Sequence, residues 1–358
     1  MSRPSVLSVV GNRPQFVKAA PLSRALRETC DEVLVHSGQH YDPSLADLII
    51  DELGVPSPDH ALEVGPGSPP AQLSRMIARL EPVIAEARPD LVLVYGDTTT
   101  TLAAALTAAK TDTALGHVEA GLRSFRRTMP EEQNRVLTDH LSELLFCPTD
   151  AALANLAREG VTDGVHRVGD VMFDAHLMFA DAARARPGAE RWDLAEDYLL
   201  VTVHRAAATD TRQALTAVVE ILESLGYPAI FPVHPRTRAK LEEAGLSDRA
   251  EAVPGLVLAE PLGYLDFQAL LLSARGVVTD SGGVQKEAAF AGVPCITVRD
   301  ETEWVETVEA GVNRLTGLDA ERVVAALEDL PPRFTPPDLY GDGDAAGEIG
   351  RIIAAHLS

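Results

Sequence analysis

The chain has 358 residues, 46% of them hydrophobic, and a formal net charge of −22. That length exceeds one ordinary core and suits two α/β domains of about 150–200 residues each. The acidic balance excludes nucleic acid and anionic membrane as partners, and it means that any phosphate ligand needs a local basic cluster to hold it.

Taken in chain order, short apolar runs at 6–10, 32–36, 91–95, 114–118 and 144–147 each end in Gly, Asp, Asn or Pro. Such runs read as strands buried on both faces of a parallel sheet. Helical patterns lie between them, as at 72–87 and 100–110. The second half repeats the theme, with runs at 198–203, 229–233, 256–259, 276–279 and 295–298. The alternation predicts an α/β fold of two Rossmann-like, doubly wound domains. The first spans 1–168 and the second 169–341, with the boundary near 167–171 and a surface connection at 182–192. Two such domains are expected to bury a ligand at the carboxyl ends of their sheets. Cys30, Cys147 and Cys295 are far apart and form no CxxC, so neither a disulfide framework nor a zinc site is indicated. No signal-peptide pattern opens the chain and no apolar run reaches the ~18 residues of a bilayer span, which makes the cytoplasm the expected compartment.

Four stretches carry chemistry. In VVGNRPQFVK (9–18) a strand leads through Gly11 into a helix with Pro14 in its first turn. Arg13 then stands at the helix entrance and Lys18 one turn inside, where free N–H groups and the dipole suit a phosphate. The alternative is a plain βα turn with solvated charges. Pro21 predicts that this helix kinks or restarts. In DSGGVQKE (280–287), Ser281, Gly282 and Gly283 form a donor-rich turn that can cradle a diphosphate. Glu287, one turn on, suits a pair of ribose hydroxyls; the alternative is a glycine turn with an exposed Glu. The third signal is a set of acids at strand ends: Asp97 in YGDTTTT, Glu119 in HVEAGLRS, and Glu131 and Glu132 in MPEEQNR. Strands of a parallel sheet end on one edge, so these carboxylates can converge and share acid and base roles. Singly, Asp97 reads as the N-cap of the Thr-rich helix, and Glu131 and Glu132 as complements to a helix dipole. Fourth, His204 and Arg205 follow a strand in VTVHRAAATD, placed for proton transfer or a phosphate contact. His234 in PVHPRTR is a weaker candidate of the same type.

These motifs, with GQHYD, GVPCITVRDETE and YGDGDA, appear in the order found in the non-hydrolysing UDP-N-acetylglucosamine 2-epimerases, which the chain resembles from residue 6 to about 350. The resemblance implies the GT-B architecture, with a C-terminal helix from about 342 returning to the first domain. It implies interconversion of UDP-GlcNAc and UDP-ManNAc by anti elimination of UDP and re-addition through 2-acetamidoglucal, with no cofactor and no metal, in a homodimer. By position it assigns Asp97, Glu119, Glu131 and His204 to catalysis. Arg13, Lys18 and Arg205 fall near the diphosphate, Ser281, Gly282 and Gly283 in the phosphate turn, Glu287 at the ribose and Phe267 beside the uracil. The family's GTRPE reads GNRPQ here, its HRRE or HRAEN reads HRAAA, and its TERPE reads TEWVE, with Trp304 in place of Arg. TEWVE and RSFRRTMPEE also resemble the branch acting on UDP-2,3-diacetamido-glucuronic acid. The phosphate turn alone would also fit a GT-B glycosyltransferase that uses a UDP-sugar.

Overall fold

The computed structural model describes residues 3–39, 50, 52–194 and 197–358. Chain contacts divide it into two units: Met1–Met178 with Asp338–Ser358, and Phe179–Pro337. In the first, the apolar runs become the parallel strands β1 (Ser5–Val10), β2 (Asp31–His36), β3 (His60–Ala61), β4 (Leu91–Tyr95), β5 (Ala114–Val118), β6 (Leu144–Cys147) and β7 (Val165–Arg167). Their order in the sheet is β3-β2-β1-β4-β5-β6-β7. All five residues of β4 are fully buried, because helices cover both faces of a doubly wound sheet. The helices Pro69–Ala87 and Thr99–Lys110 seal one face, where Met76, Leu80, Ile84 and Ala104 pack on Leu7, Val9, Val92 and Val94.

The second unit holds β8 (Leu199–Thr202), β9 (Ala229–Pro232), β10 (Leu256–Ala259), β11 (Gly276–Thr279), β12 (Cys295–Thr297) and β13 (Asn313–Leu315), in the order β10-β9-β8-β11-β12-β13. Successive side chains on a strand point to opposite faces. Leu199, Val201, Val278 and Ile296 accordingly enter one core, and Leu200, Ile230, Val277 and Cys295 another. Two apolar faces per strand are what make the runs continuous in the sequence. Each unit has the doubly wound α/β organisation expected from that pattern.

Some local expectations need correction. The helix Arg13–Thr29 runs unbroken through Pro21. Losing one backbone donor is tolerated where the helix is held on its buried face by Phe16, Val17, Leu22 and Leu26. Residues 182–184 are not connection but the end of the helix Val171–Arg184, and a 3₁₀ turn follows at Ala189–Trp192. The edge strands β3, β7 and β13 have two or three residues each and only partial burial, so they give no apolar run to read. Residues 40–42 of the GQHYD motif lie outside the described residues. Among the described residues, no helix is long and apolar enough to cross a membrane.

The helix Ala345–His356 packs on Arg13–Thr29, with Gly350 against Ala25, and its Ile349 and Ile353 are fully buried. Its first turn is capped from a distance: the Asp174 carboxylate accepts the N–H groups of Ala345 (3.2 Å) and Ala346 (2.7 Å). Burial pushes the Asp174 carboxyl up to about 6; the two N–H donors oppose the shift, while Asp170 and Asp344 add to it. A carboxyl with a raised value binds its proton more tightly when folded. Its stabilising contribution is therefore present below pH 4 and lost as pH rises through 6, a change of about 2–3 kcal/mol. Denaturant titrations from pH 4 to pH 7.5 should show the natural chain losing about that much more stability than Asp174→Asn. Parallel curves would refute the assignment.

Candidate active site

In the first unit β1 lies between β2 and β4, so the connections after β1 and β4 run in opposite directions and leave a crevice at their carboxyl ends. The turn after β1 carries Gly11, Asn12 and Arg13, and that after β4 carries Gly96, Asp97 and Thr98. Asn12 caps the helix Arg13–Thr29 by accepting the Gln15 N–H at 3.1 Å, and Arg13 is its first residue, half-buried. Gln15 is buried. Its carbonyl oxygen accepts the Gly11 N–H (2.8 Å), and its amide faces Tyr95 O (2.8 Å), Thr98 Oγ1 (3.0 Å) and Thr101 Oγ1 (3.1 Å). Tyr95 O can only accept, so this position suits an amide, which carries N–H donors, over a carboxylate.

Lys18, one turn into the same helix, reaches Glu119 at the end of β5 in a direct ion pair, with both side chains under a tenth exposed. Glu119 holds a left-handed backbone conformation (φ +73°), and its N–H donates to Phe146 O at 3.0 Å. Gly96 stands against the pair: a Cβ there would lie 3.1 Å from Lys18 Nζ and 3.2 Å from Glu119 Oε2, and its own φ is +62°. The turn that carries Asp97 is thus pressed onto the Lys18–Glu119 pair.

Asp97 does not cap the Thr-rich helix. Thr98 does, in a reciprocal capping box with Thr101. The Asp97 carboxylate, 29% exposed, instead pairs with the buried guanidinium of Arg135 on the helix Pro130–Leu141. Asn134 Nδ2 donates to Asp97 O at 2.8 Å. The two neighbouring glutamates at the head of this helix separate cleanly. Glu132 is buried and accepts the N–H groups of Ser124 and Phe125 (both 2.8 Å), as well as Arg135 Nη1 at 3.1 Å. It organises the loop 122–129. Glu131 is half-buried, with no ion pair among the described residues. Beneath the site, both ring nitrogens of His117 face acceptors at 2.7 Å, Asp139 Oδ1 and Gly96 O. Asp139 also takes the Gly121 N–H (3.1 Å) and Arg123 Nη1 (2.6 Å). Burial opposes the Asp139 charge, but His117 and Arg123 outweigh it and hold the carboxyl below the ordinary carboxylate range.

The second unit repeats the crevice between β8 and β11. His204 and Arg205 follow β8, and their N–H groups both donate to Asp280, which follows β11 and is 1% exposed. Its carboxylate lies 3.6 Å from His204 Nδ1, and the His204 ring faces that of His234, 6.0 Å between centroids. Ser281 opens the helix Gly282–Phe290. At Gly282 a Cβ would lie 2.3 Å from Glu303 Oε1, so the Glu303 side chain would have to move, whereas one on Gly283 would meet only Ser281 Oγ at 4.0 Å. Glu287 is 6% exposed on this helix. Phe267 lies in the core beside Leu270, Val277 and Val284. Glu303 reaches Arg299 (2.8 Å) and Arg205 (3.4 Å). Trp304 is buried with the Lys286 ammonium 4.3 Å from its ring centroid, while Ala206 and Ala207 are exposed.

Sequence reasoning missed Arg135, Asn134, Asp139 and Asp280. Arg135 and Asn134 stand at i+4 and i+3 from Glu131, a helical spacing that placed them on its face. Asp280 was quoted within its motif but given no task.

Known proteins can now be set beside this geometry. A Methanococcus maripaludis protein described as a UDP-N-acetylglucosamine 2-epimerase homolog is 42% identical, over 97% of this chain and 99% of its own. The UDP-2,3-diacetamido-2,3-dideoxy-D-glucuronate 2-epimerase of Pseudomonas aeruginosa is also 42% identical, over 98% of this chain and 99% of its own. The crystal structure of Methanocaldococcus jannaschii UDP-GlcNAc 2-epimerase in complex with UDP-GlcNAc and UDP matches with a TM-score of 0.93 at 40% identity, covering 98% of this chain and 99% of that one. The GT-B class expected from the motifs is thereby borne out. With the family profile matching residues 24–354, the chain belongs to the UDP-N-acetylglucosamine 2-epimerase family.

Proposed function

We propose that the chain inverts C2 of a UDP-linked N-acetylhexosamine, interconverting UDP-GlcNAc and UDP-ManNAc in the cytoplasm as a homodimer. The observation that carries this reading is the convergence of Asp97 and Glu119 at the edge of one sheet, each against a buried cation, with Glu131 on the helix that grips Asp97. The C2 hydrogen is not acidic in the intact sugar. As the C1–O bond breaks, its electron pair leaves on the UDP β-phosphate and a carboxylate takes the C2 proton, giving 2-acetamidoglucal. A proton then returns to the other face of C2 and the same phosphate oxygen re-adds to C1. Asp97, Glu119 and Glu131 form the acid–base set. We assign Arg13 and Lys18 of the first unit, and His204, Arg205, the Ser281 hydroxyl and the N–H groups of Gly282 and Gly283 of the second, to the developing diphosphate charge; the Ser281 N–H itself is held by Thr279 Oγ1 at 2.9 Å. Glu287 takes the ribose hydroxyls and Phe267 backs the uracil.

Gly283 supports a ligand at this turn. Its φ is not left-handed and no neighbour crowds its missing side chain, so neither conformation nor packing demands glycine. Close approach of a phosphate to the backbone does. The 42% identity to the diacetamido-glucuronate enzyme, with the resemblance of TEWVE to that branch, supports a second substrate reading, with the same chemistry at C2.

NMR in deuterated water separates these readings from a glycosyltransferase. Deuterium at C2 of an intact nucleotide sugar is expected, from UDP-GlcNAc or from the diacetamido-uronate; no incorporation from either ends the proposal. Asp97→Asn, Glu119→Gln and Glu131→Gln should each lower turnover by ~10²–10⁴-fold. Gly283→Ala should melt no lower than the natural chain, since Ala is favoured over Gly within a helix by up to about 1 kcal/mol. It should nevertheless bind UDP at least ~10-fold more weakly by calorimetry, a loss of about 1.4 kcal/mol. Undiminished affinity would remove the turn from the site.

A further inference from the structure

We infer that Arg135 and Asn134 are positioning residues for Asp97, and that the helix Pro130–Leu141 sets the spacing between Asp97 and Glu131. The inference rests on the C2-epimerase reading and goes beyond it by naming what holds one acid in register with another.

Asp97 sits on a short turn, not on a strand or helix, so the backbone alone does not fix its carboxylate. From behind, the turn is tied by Thr98, which caps the helix Thr99–Lys110 and meets the buried Gln15 amide at 3.0 Å. From the front, two adjacent residues of one helix take hold of it. Asn134 Nδ2 donates to the Asp97 carbonyl at 2.8 Å, and the Arg135 guanidinium pairs with the carboxylate. Arg135 is 1% exposed and is itself steadied by Glu132 Oε2 at 3.1 Å, so its guanidinium is a fixed point and not a mobile surface charge. Residues at i, i+3 and i+4 share one face of a helix. Glu131, Asn134 and Arg135 have that spacing, and the latter two bond Asp97 while Glu131 forms no ion pair among the described residues. One rigid element thus presents a proton-transfer group and, a turn later, the two grips on its partner. Reacting groups displaced by about 1 Å can lose ~10²-fold in rate, which is the scale on which these grips act.

The test measures turnover and C2 deuterium incorporation for the natural chain and for Asn134→Ala, Arg135→Met, Arg135→Lys, Asp97→Asn and the double variant Asp97→Asn/Arg135→Met. Arg135→Met should lower kcat by ~10²-fold with KM changed less than about threefold, and Asn134→Ala should lower kcat about tenfold. Arg135→Lys should recover part of the loss. The double variant should fall within about threefold of Asp97→Asn alone, because a residue that acts only through Asp97 has nothing left to position. Multiplicative losses in the double variant, losses confined to KM, or undiminished turnover in both single variants would overturn the inference while C2 exchange by the natural chain still stands. If the natural chain itself exchanges no deuterium, the epimerase reading fails and this inference with it. Should Arg135→Met not fold, Asn134→Ala decides, since Asn134 is only partly buried.

Discussion

An ammonium and a carboxylate, both nearly withdrawn from water, meet where Lys18 touches Glu119, and the acid site is arranged around that meeting. Desolvating each ion costs several kcal/mol, and only close pairing offsets it. The helix after β1 and the turn after β5 are therefore bound to one separation. Glu119 accepts a left-handed backbone, at a cost of about 1–3 kcal/mol, to complete the pair. The turn after β4 passes so close that a Cβ on Gly96 would lie 3.1 Å from Lys18 Nζ and 3.2 Å from Glu119 Oε2. The His117 imidazole then holds that turn by its carbonyl, with Asp139 and Arg123 behind it. Three connections from three strands are thus joined by one ion pair and the hydrogen bonds of His117.

The second unit solves the same problem with the opposite charge pattern. There one buried carboxylate, Asp280, gathers two backbone N–H groups and so joins the turn after β8 to the turn after β11. The Ser281 N–H is held in the same way, by Thr279 Oγ1 at 2.9 Å. Glu303 acts similarly, bridging Arg299 and Arg205 while closing the space above Gly282.

Much of this was readable in the chain alone. Leu91–Tyr95, Ala114–Val118, Leu144–Cys147, Leu256–Ala259 and Gly276–Thr279 occur where the apolar runs place them, because burial on both faces leaves a continuous signal. The glycine turns and strand-end acids were legible for a similar reason: their residue types are unusual for their position. The supporting residues were not. Arg135 and Asp139 look like ordinary charges of an amphipathic helix, and only the fold shows that both are buried. Thr98 and Asp97 are equally good caps by type, and the capping box with Thr101 decides between them. Pro21 shows the limit of a local rule, since packing over the rest of the helix outweighs one missing donor.

The first unit is assembled from two stretches of chain that lie more than 150 residues apart, and this bears on how it comes into being. Residues 338–358 supply the helix Ala345–His356 that packs on Arg13–Thr29, with its first turn held by Asp174. During synthesis the earlier stretch emerges long before its missing piece, whereas the second unit is continuous and can close as soon as it is made. The helix Arg13–Thr29 therefore stays uncovered on the side that Ala345–His356 takes until those later residues have emerged.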